Sequence, residues 1–373
     1  MTITPAGFYL KEIDREWNGD MLRILEESPV EIKGLTICFN REPDIFAVPR
    51  LYSEHVKCVG FFKGDELVGF AMLMFQNRYV NGEPRIVMYC GNVHVKEASR
   101  HEGFVYRASD HLFEETYQQS DLGYAVVMKG NKAAERFIGR RKPEYPNLPY
   151  SKTISTLCAK NIWIMGRKKE NKKYQIRHAR LSDMDAVVAL LREEFKKRLF
   201  APVIDTAGFL ENLVERSGRG LMDTYIAEKK GEIVGTCAAW DTGRLKQNRI
   251  VRYGLKLRWL KAFHSAAAGL FGFPHMPKEG ETVRDVTISD YAVEGRNPEI
   301  LEALLLRIYN EYQVKRYNLM IIGSCSHDPL LRATRKFPGN SILSSVVLFS
   351  KDASFLAEGK IDTSLPYVDL VML

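Results

Sequence analysis

The stretch from Asn92 to Val105 has the residue types and spacing of a phosphate-binding turn. An apolar strand ends at Val95, a short polar loop follows, and an amphipathic helix is predicted to begin near Gly103. A strand-to-helix turn directs free backbone N–H groups and the positive end of the helix dipole at one point, where an anion can bind. Glycine suits this turn because a Cβ would hold the anion away from the backbone. An ordinary structural turn is the alternative interpretation.

The elements that position this loop occur twice along the chain. Each half contains a hairpin with a glycine turn, at Gly64 in the first half and at Gly231 in the second, between strand-forming runs. In both halves the hairpin is followed by strand, helix, strand, helix and strand. This repeated order predicts that one α/β unit has been duplicated.

Charge and composition predict the domain boundaries. The run 166–175 is basic and lacks periodic apolar residues, which is typical of a solvated linker. It would separate an N-terminal domain, 1–165, from a C-terminal domain, 176–350. An apolar tail, 351–373, would then pack on one of the domains.

The second half contains a basic insertion. The 26 residues from Gly69 to Val95 become 58 residues from Gly235 to Val293, which places an insertion of 32 residues at roughly 241–280. Bases alternate there with leucines and aromatic residues. We interpret the insertion as a folded lid or interface element, and a surface for nucleic acid, a membrane or an acidic partner is the alternative.

Composition and charge narrow the classes of function. The formal charge of +8 favours an anionic partner, either nucleic acid or a phosphate-rich cofactor. The six cysteines have no metal-binding spacing, so no metal site is predicted. No apolar run reaches the length of a membrane span, and the first residues lack the pattern of a secretory signal. The sequence therefore predicts a cytoplasmic protein.

Residues 92–105 resemble motif A of the acyl-CoA N-acyltransferase (GNAT) superfamily, a strand followed by Arg/Gln-x-x-Gly-x-Gly/Ala. Arg100 and Gly103 match this motif, and Val105 occupies its last position. The stretch 130–137 resembles motif B, in which Asn131 matches an asparagine that often contacts the cofactor. The resemblance implies an α/β fold with an α+β mixed sheet. It would comprise two tandem GNAT-like domains, each a mostly antiparallel mixed sheet flanked by helices.

The resemblance also implies acetyl-CoA as co-substrate, bound by the N-terminal domain. In the family, the backbone of the loop holds the pyrophosphate, and the preceding strand pairs with the pantetheine arm. The residues expected to bind the cofactor are Val93, Val95, Arg100, His101, Glu102, Gly103, Phe104, Val105 and Asn131. In the second half, Pro298 and Leu301 occupy the positions of Arg100 and Gly103, so this half is expected not to bind CoA.

The catalytic side chains that the family often uses are absent. Gly91 occupies the position of the usual glutamate base, and Ile138 that of the usual tyrosine acid. His94 is the nearest titratable side chain and is a candidate base, because imidazole titrates near neutral pH. A structural strand histidine is the alternative. Tyr89, Tyr124 or water could supply the acid.

A further candidate base is the C-terminal carboxylate, because the tail is apolar enough to dock. Tandem-domain acetyltransferases that resemble the mycobacterial enhanced-intracellular-survival protein use a buried terminal carboxylate in this way.

The predicted activity is transfer of an acyl group, expected to be acetyl, from acyl-CoA to an amine of a small molecule or peptide. One alternative is a tRNA-dependent aminoacyl or peptidyl transferase, which would account for the basic insertion. Another is a CoA-binding module without catalysis.

Overall fold

A strand of 13 residues, Glu83–Val95, and a helix after it, Glu102–Thr116, frame the predicted phosphate loop. The structure, a computed structural model, describes residues 7–100, 102–138, 141–213, 219–259, 261 and 273–373, with only the backbone of 102–104. The strands are β1 (Phe8–Glu12), β2 (Val30–Ile32), β3 (Leu35–Asn40), β4 (His55–Lys63), β5 (Glu66–Val80), β6 (Glu83–Val95), β7 (Leu122–Met128), β8 (Tyr150–Trp163), β9 (Gln175–His178), β10 (Thr224–Lys229), β11 (Glu232–Trp240), β12 (Gln247–Tyr253), β13 (Asp285–Val293), β14 (Leu319–Cys325) and β15 (Gly339–Ser350). The helices are α1 (Asn18–Glu26), α2 (Ala47–Tyr52), α3 (Glu102–Thr116), α4 (Lys132–Phe137), α5 (Met184–Lys196), α6 (Thr206–Glu211) and α7 (Pro298–Val314).

Twelve of these strands form one mixed sheet, in the order β1-β4-β5-β6-β7-β15-β8-β14-β13-β11-β10-β9. The pairs β6–β7 and β13–β14 are parallel, whereas their neighbours pair antiparallel. The predicted mixed sheet flanked by helices is therefore confirmed. Because β15 lies between β7 and β8, and β8 between β15 and β14, the last strand of each half pairs with strands of the other half. The division at 166–175 into two domains stays a prediction.

A shift in pairing register occurs at β6 in the first half and at β13 in the second half. The β5–β6 register shifts between Phe70 and Met72, opposite Asn92, whose φ is +49°. The β11–β13 register shifts in the same way opposite Asp290, whose φ is +42°. Asn and Asp tolerate this left-handed conformation better than most residues, and a bulge bends the strand that carries it. The two halves therefore share both their element order and the bend in the strand that precedes the helix.

Both faces of the N-terminal part of the sheet are covered. Residues of α3, including Tyr106, Leu112 and Phe113, join a core with the alternate side chains of β4 to β6. The other alternate side chains of these strands join a core with Met21 and Ile24 of α1. Because successive strand residues point to opposite faces, α1 and α3 lie on opposite sides of the sheet.

The linker and the insertion are both tied to the rest of the chain. Residues 166–175 were expected to form a solvated linker, and that expectation stays a prediction. Within this run, the main chain of Lys168 is hydrogen-bonded to another part of the chain. Its N–H donates to Oδ1 of Asn310 on α7, and its carbonyl accepts from Nδ2 of the same residue, both at 2.8 Å. Within the insertion, β12 pairs antiparallel with β3 of the N-terminal half, and Arg249 forms an ion pair with Glu26 at 2.9 Å. The described strand of the insertion is therefore an interface element.

We predict that this interface stabilises the whole chain. Ile250 lies in β12 opposite Ile37 and is buried. Ile250→Asp should lower the free energy of unfolding by about 3 kcal/mol, because an unpaired carboxylate would be buried. Arg252→Glu on the same strand, at an exposed position, is the control and should change it by less than about 0.5 kcal/mol. Equal, small losses in urea titrations of both variants would show that β12 contributes little.

Candidate functional site

The strands β6 and β7 separate after a short parallel contact. Their pairs run from Met88–Gly123 to Cys90–Ala125, where pairing stops, although β6 continues to Val95 and β7 to Met128. We call the gap between residues 91–95 and 126–128 the β6–β7 cleft. Val93, in the middle of its β6 edge, is 54% exposed. Backbone donors and acceptors along this edge lack the strand partner that they have elsewhere in the sheet, so a ligand could pair with them.

The predicted phosphate loop lies at the open end of this cleft. A 3-10 helix, Glu97–Ser99, follows β6, and α3 begins at Glu102. The Nε of Arg100 donates to the carbonyl oxygen of Val95 at 2.9 Å, so the side chain folds back on the end of the strand. The first N–H groups of α3 have no acceptor within their own helix, and the helix dipole is positive there.

The remaining residues of the predicted loop are less fully defined. His101 lies outside the described residues, and for Glu102, Gly103 and Phe104 only the backbone is described. Val105 lies half-buried in the first turn of α3. The structure therefore brings the start of α3 to the end of the β6 edge that carries Val93 and Val95.

Asn131 has a structural role that accounts for its position. It is the N-cap of α4, where its Oδ1 accepts from the N–H of Ala134 at 3.2 Å. Ile138 ends the same helix with an extended backbone. The predicted contact of Asn131 with a cofactor stays a prediction.

The corresponding gap in the second half is bridged. Parallel pairing of β13 and β14 stops at Ile288–Ile322. Tyr291, at the position of Val93, donates its hydroxyl to the carbonyl oxygen of Gly323 at 2.8 Å, which spans the gap between the two strands. The side chain of Leu370, from the tail, packs directly against Gly323. A ligand would have to displace these contacts.

A buried ion-pair cluster closes the same region of the second half. Asp328 is at the position of Asn131, and its side chain is 0% exposed. It forms ion pairs with Arg198 and with Arg296, each at 2.7 Å. Arg296 also pairs with Glu194. Where the first half has an open loop, the second half has mutually satisfied charges.

Two buried tyrosines lie at the closed end of the β6–β7 cleft. Tyr89 on β6 is the register partner of Tyr124 on β7, and their ring centroids are 4.9 Å apart. Burial raises the pKa of Tyr89, and it raises the pKa of Tyr124 to about 12. Both phenols are therefore neutral at pH 7 and suited to donate a hydrogen bond.

His94 lies on the β6 edge of the cleft against Phe70, with ring centroids 5.3 Å apart. Burial, aided by the charges of Arg41 and Arg100, lowers the pKa of His94 to about 4. The imidazole is therefore neutral at pH 7, but it takes up a proton less readily than an ordinary histidine. The role of His94 as base stays a prediction.

Sequence reasoning missed a group of buried cations around Leu373, the last residue of the sequence. Nη2 of Arg41 and Nζ of Lys246 donate to the main-chain oxygen of Leu373, at 3.0 Å and 3.3 Å. Burial, with the charge of Arg41, lowers the pKa of Lys246 to about 8. Lys246 was visible only as one of many bases in the insertion, and Arg41 follows β3 without any motif. The pairing of β12 with β3 brings Arg41 and Lys246 together, and the tail adds Leu373.

In the described part of the chain, no group of three or more His, Cys, Asp or Glu side chains is arranged to hold a metal ion. Among the described helices, none is both long enough and apolar enough to cross a membrane.

No protein-family model matches the sequence, and no curated protein does. Solved structures with a similar fold include Saccharomyces cerevisiae N-myristoyltransferase with bound myristoyl-CoA, at 12% identity and a TM-score of 0.62, covering 93% of this chain and 80% of that one. A GCN5-related N-acetyltransferase from Sphaerobacter thermophilus is 11% identical with a TM-score of 0.58, covering 98% and 99%. Another from Anabaena variabilis is 12% identical with a TM-score of 0.50, covering 92% and 73%. The chain thus has the fold of GCN5-related N-acetyltransferases and N-myristoyltransferase.

We predict that His94 titrates far below the usual histidine range. With a folded pKa near 4 against about 6.5 when unfolded, the unfolded chain binds the extra proton first as pH falls. Stability should therefore decline by roughly 2–3 kcal/mol between pH 6.5 and 4 relative to a His94→Gln variant. The measurement is an NMR titration of the ring, with urea unfolding at each pH. A midpoint above 6 would contradict the described burial.

Proposed function

We propose that this chain is an acyl-CoA-dependent N-acyltransferase that transfers an acetyl group from acetyl-CoA to an amine. The observation that carries the proposal is the difference between the two gaps. The β6–β7 cleft is open beside the start of a 15-residue helix, whereas Tyr291 bridges the equivalent gap of the second half. The likeness of the fold to acyl-CoA-dependent enzymes supports the same assignment.

The residues of the first half fit coenzyme A. Free N–H groups at the start of α3 would hold the pyrophosphate, and residues 100–105 would surround it. The edge of β6 that faces the cleft, at Val93 and Val95, would hydrogen-bond the amide groups of the pantetheine arm. When bound, acyl-CoA supplies the activated thioester. The chain orients it, keeps water away and receives the proton from the amine.

Attack requires an unprotonated amine, so a proton acceptor must lie near the closed end of the cleft. His94, with a pKa of about 4, would be a weak base. Leu373 packs in one apolar cluster with Tyr89, Tyr124 and Val126 at the closed end of the cleft, and this proximity supports the hypothesis that a terminal carboxylate accepts the proton. This hypothesis applies to a chain whose last residue is Leu373. Tyr89, neutral and buried beside the cleft, would donate a hydrogen bond to the leaving sulfur.

The acceptor is proposed to be an amine of a small molecule or a peptide. The tRNA-dependent alternative drew its support from the basic insertion. Several of those bases have partners within the chain, because Arg249 pairs with Glu26, Arg258 pairs with Glu279 and Lys246 binds tail carbonyls. The insertion therefore needs no RNA to account for its charge. A CoA-binding module without catalysis would bind CoA but show no turnover.

We predict one CoA site per chain, in the first half. Gly103→Asp should weaken acetyl-CoA binding at least about 30-fold, or about 2 kcal/mol, because it puts a side chain and an anion at the pyrophosphate position. Gly295→Asp makes the same change in the corresponding loop of the second half, at an exposed position with φ +57° that aspartate tolerates. It should leave binding unchanged. Calorimetry that gives two sites, or equal effects of both variants, would contradict the assignment.

We predict that one glycine added after Leu373 lowers turnover at least about 100-fold with little change in acetyl-CoA affinity, because the carboxylate would move away from Arg41 and Lys246. Leu373→Ala keeps the chain length and is the control. Thiol release from acetyl-CoA, measured with the best substrate of an amine and peptide panel, gives the rate. Unchanged turnover in the extended chain would exclude the carboxylate as base.

A further inference from the structure

A loop of the second half reaches into the sheet of the first half. It comprises residues 198–201, directly after α5, and we call it the 198–201 loop. The N–H of Phe200 donates to the carbonyl oxygen of Tyr79 at 2.8 Å, and the N–H of Tyr79 donates to that of Ala201 at 2.9 Å. On its other side, Leu199 exchanges hydrogen bonds with residues 365 and 367 of the tail, at 3.2 Å and 2.7 Å. The loop is thus fixed from both sides.

Phe200 has a backbone conformation that bulky residues avoid. Its φ is +67°, in the left-handed region, and its side chain is 0% exposed. Such strain persists only where the surroundings hold it, and it is concentrated at functional positions. This backbone conformation lets the Phe200 ring stack on the Tyr124 ring. The two rings are nearly parallel, and their centroids are 4.4 Å apart.

The stack continues to the cleft. Tyr124 contacts Tyr89 at 4.9 Å between ring centroids. The Tyr89 ring in turn lies over Gly91, where an added Cβ would come within 2.4 Å of it. We call Tyr89, Tyr124 and Phe200 the aromatic wall. The wall starts beside Gly91, which is also the first β6 residue of the cleft.

If the proposed function holds, the acyl group of the bound thioester would lie against the aromatic wall. With the pyrophosphate at the start of α3, the pantetheine arm would run along β6 from Val95 toward Cys90, a distance of about 16 Å at the usual rise per residue. Its thioester would then reach the last paired residues, Cys90 and Ala125. The opposite face of the sheet is also filled there, because a Cβ on Gly123 would lie 2.3 Å from the Phe349 ring. An acyl chain that continues past the thioester meets aromatic rings on both faces.

We propose that the aromatic wall restricts this enzyme to short acyl groups, of two to about four carbons, and that Phe200 of the second half, stacked behind Tyr124, sets the limit by holding the wall in place. This inference rests on the proposed function. The degenerate half thereby contributes to the active site of the other half, through a ring held in place by a strained loop.

The test measures binding of free CoA and of acetyl-, butanoyl-, octanoyl- and myristoyl-CoA by calorimetry, so no acceptor is needed. Wild-type protein should bind octanoyl- and myristoyl-CoA at least tenfold more weakly than acetyl-CoA. Phe200→Ala should raise the ratio of octanoyl- to acetyl-CoA affinity at least tenfold, because an apolar cavity accepts an apolar ligand. Phe200→Gly should do the same and suits the positive φ.

Phe337→Ala is the matched control, because it removes a buried ring in the core of the second half and should leave the ratio of octanoyl- to acetyl-CoA affinity unchanged. Equal affinity of the wild type for acetyl- and myristoyl-CoA would overturn the inference but leave the proposed function standing. The same ratio in wild type, Phe200→Ala and Phe200→Gly would overturn the role of Phe200. Absence of binding of free CoA and all four thioesters would overturn the proposed function, and this inference with it.

Discussion

Two pairs of parallel strands, β6–β7 and β13–β14, diverge and leave backbone N–H and C=O groups without a strand partner. Because a buried N–H or C=O without a partner costs about 1–3 kcal/mol, the chain, a ligand or water has to occupy each gap. In the second half, Tyr291 and the tail fill it. In the first half the equivalent edge, centred on Val93, is exposed, and that difference supports the proposal that the ligand binds in the first half.

The second half supports the first through three connected elements. Arg198 forms an ion pair with Asp328 beside the gap between β13 and β14. Two residues later, Phe200 stacks on Tyr124 of the first half. The tail pairs with the same loop and ends beside Arg41 and Lys246. A buried ion pair adds little net stability but fixes geometry when its groups satisfy one another. Through these contacts the second half supports the proposed site of the first half.

Much of the fold could be predicted from the sequence because it depends on patterns of residues that lie close together in the chain. The glycine hairpins and the repeated element order predicted a duplicated α/β unit, and the resemblance at Arg100 and Gly103 identified the turn at the end of β6 and implied the mixed sheet. Pairings between distant segments left no such pattern. The exchange of β8 and β15, the binding of Lys168 to Asn310 and the pairing of β12 with β3 depend on contacts across more than 100 residues.

The candidate site, too, could be predicted only in part. Residues on β6 and the loop after it were found because they are contiguous. Arg41, Lys246 and Phe200 were missed because each comes from a different part of the chain and belongs to no motif. A positive φ at a phenylalanine has no sequence signal, since it follows from the surrounding hydrogen bonds.

A crystal structure of the protein grown with acetyl-CoA would show where the cofactor binds. We expect the pantetheine arm between β6 and β7, with its pyrophosphate at the start of α3, and Tyr291 still bonded to Gly323 between β13 and β14. Cofactor between β13 and β14, or bound away from the β6–β7 cleft, would contradict this expectation.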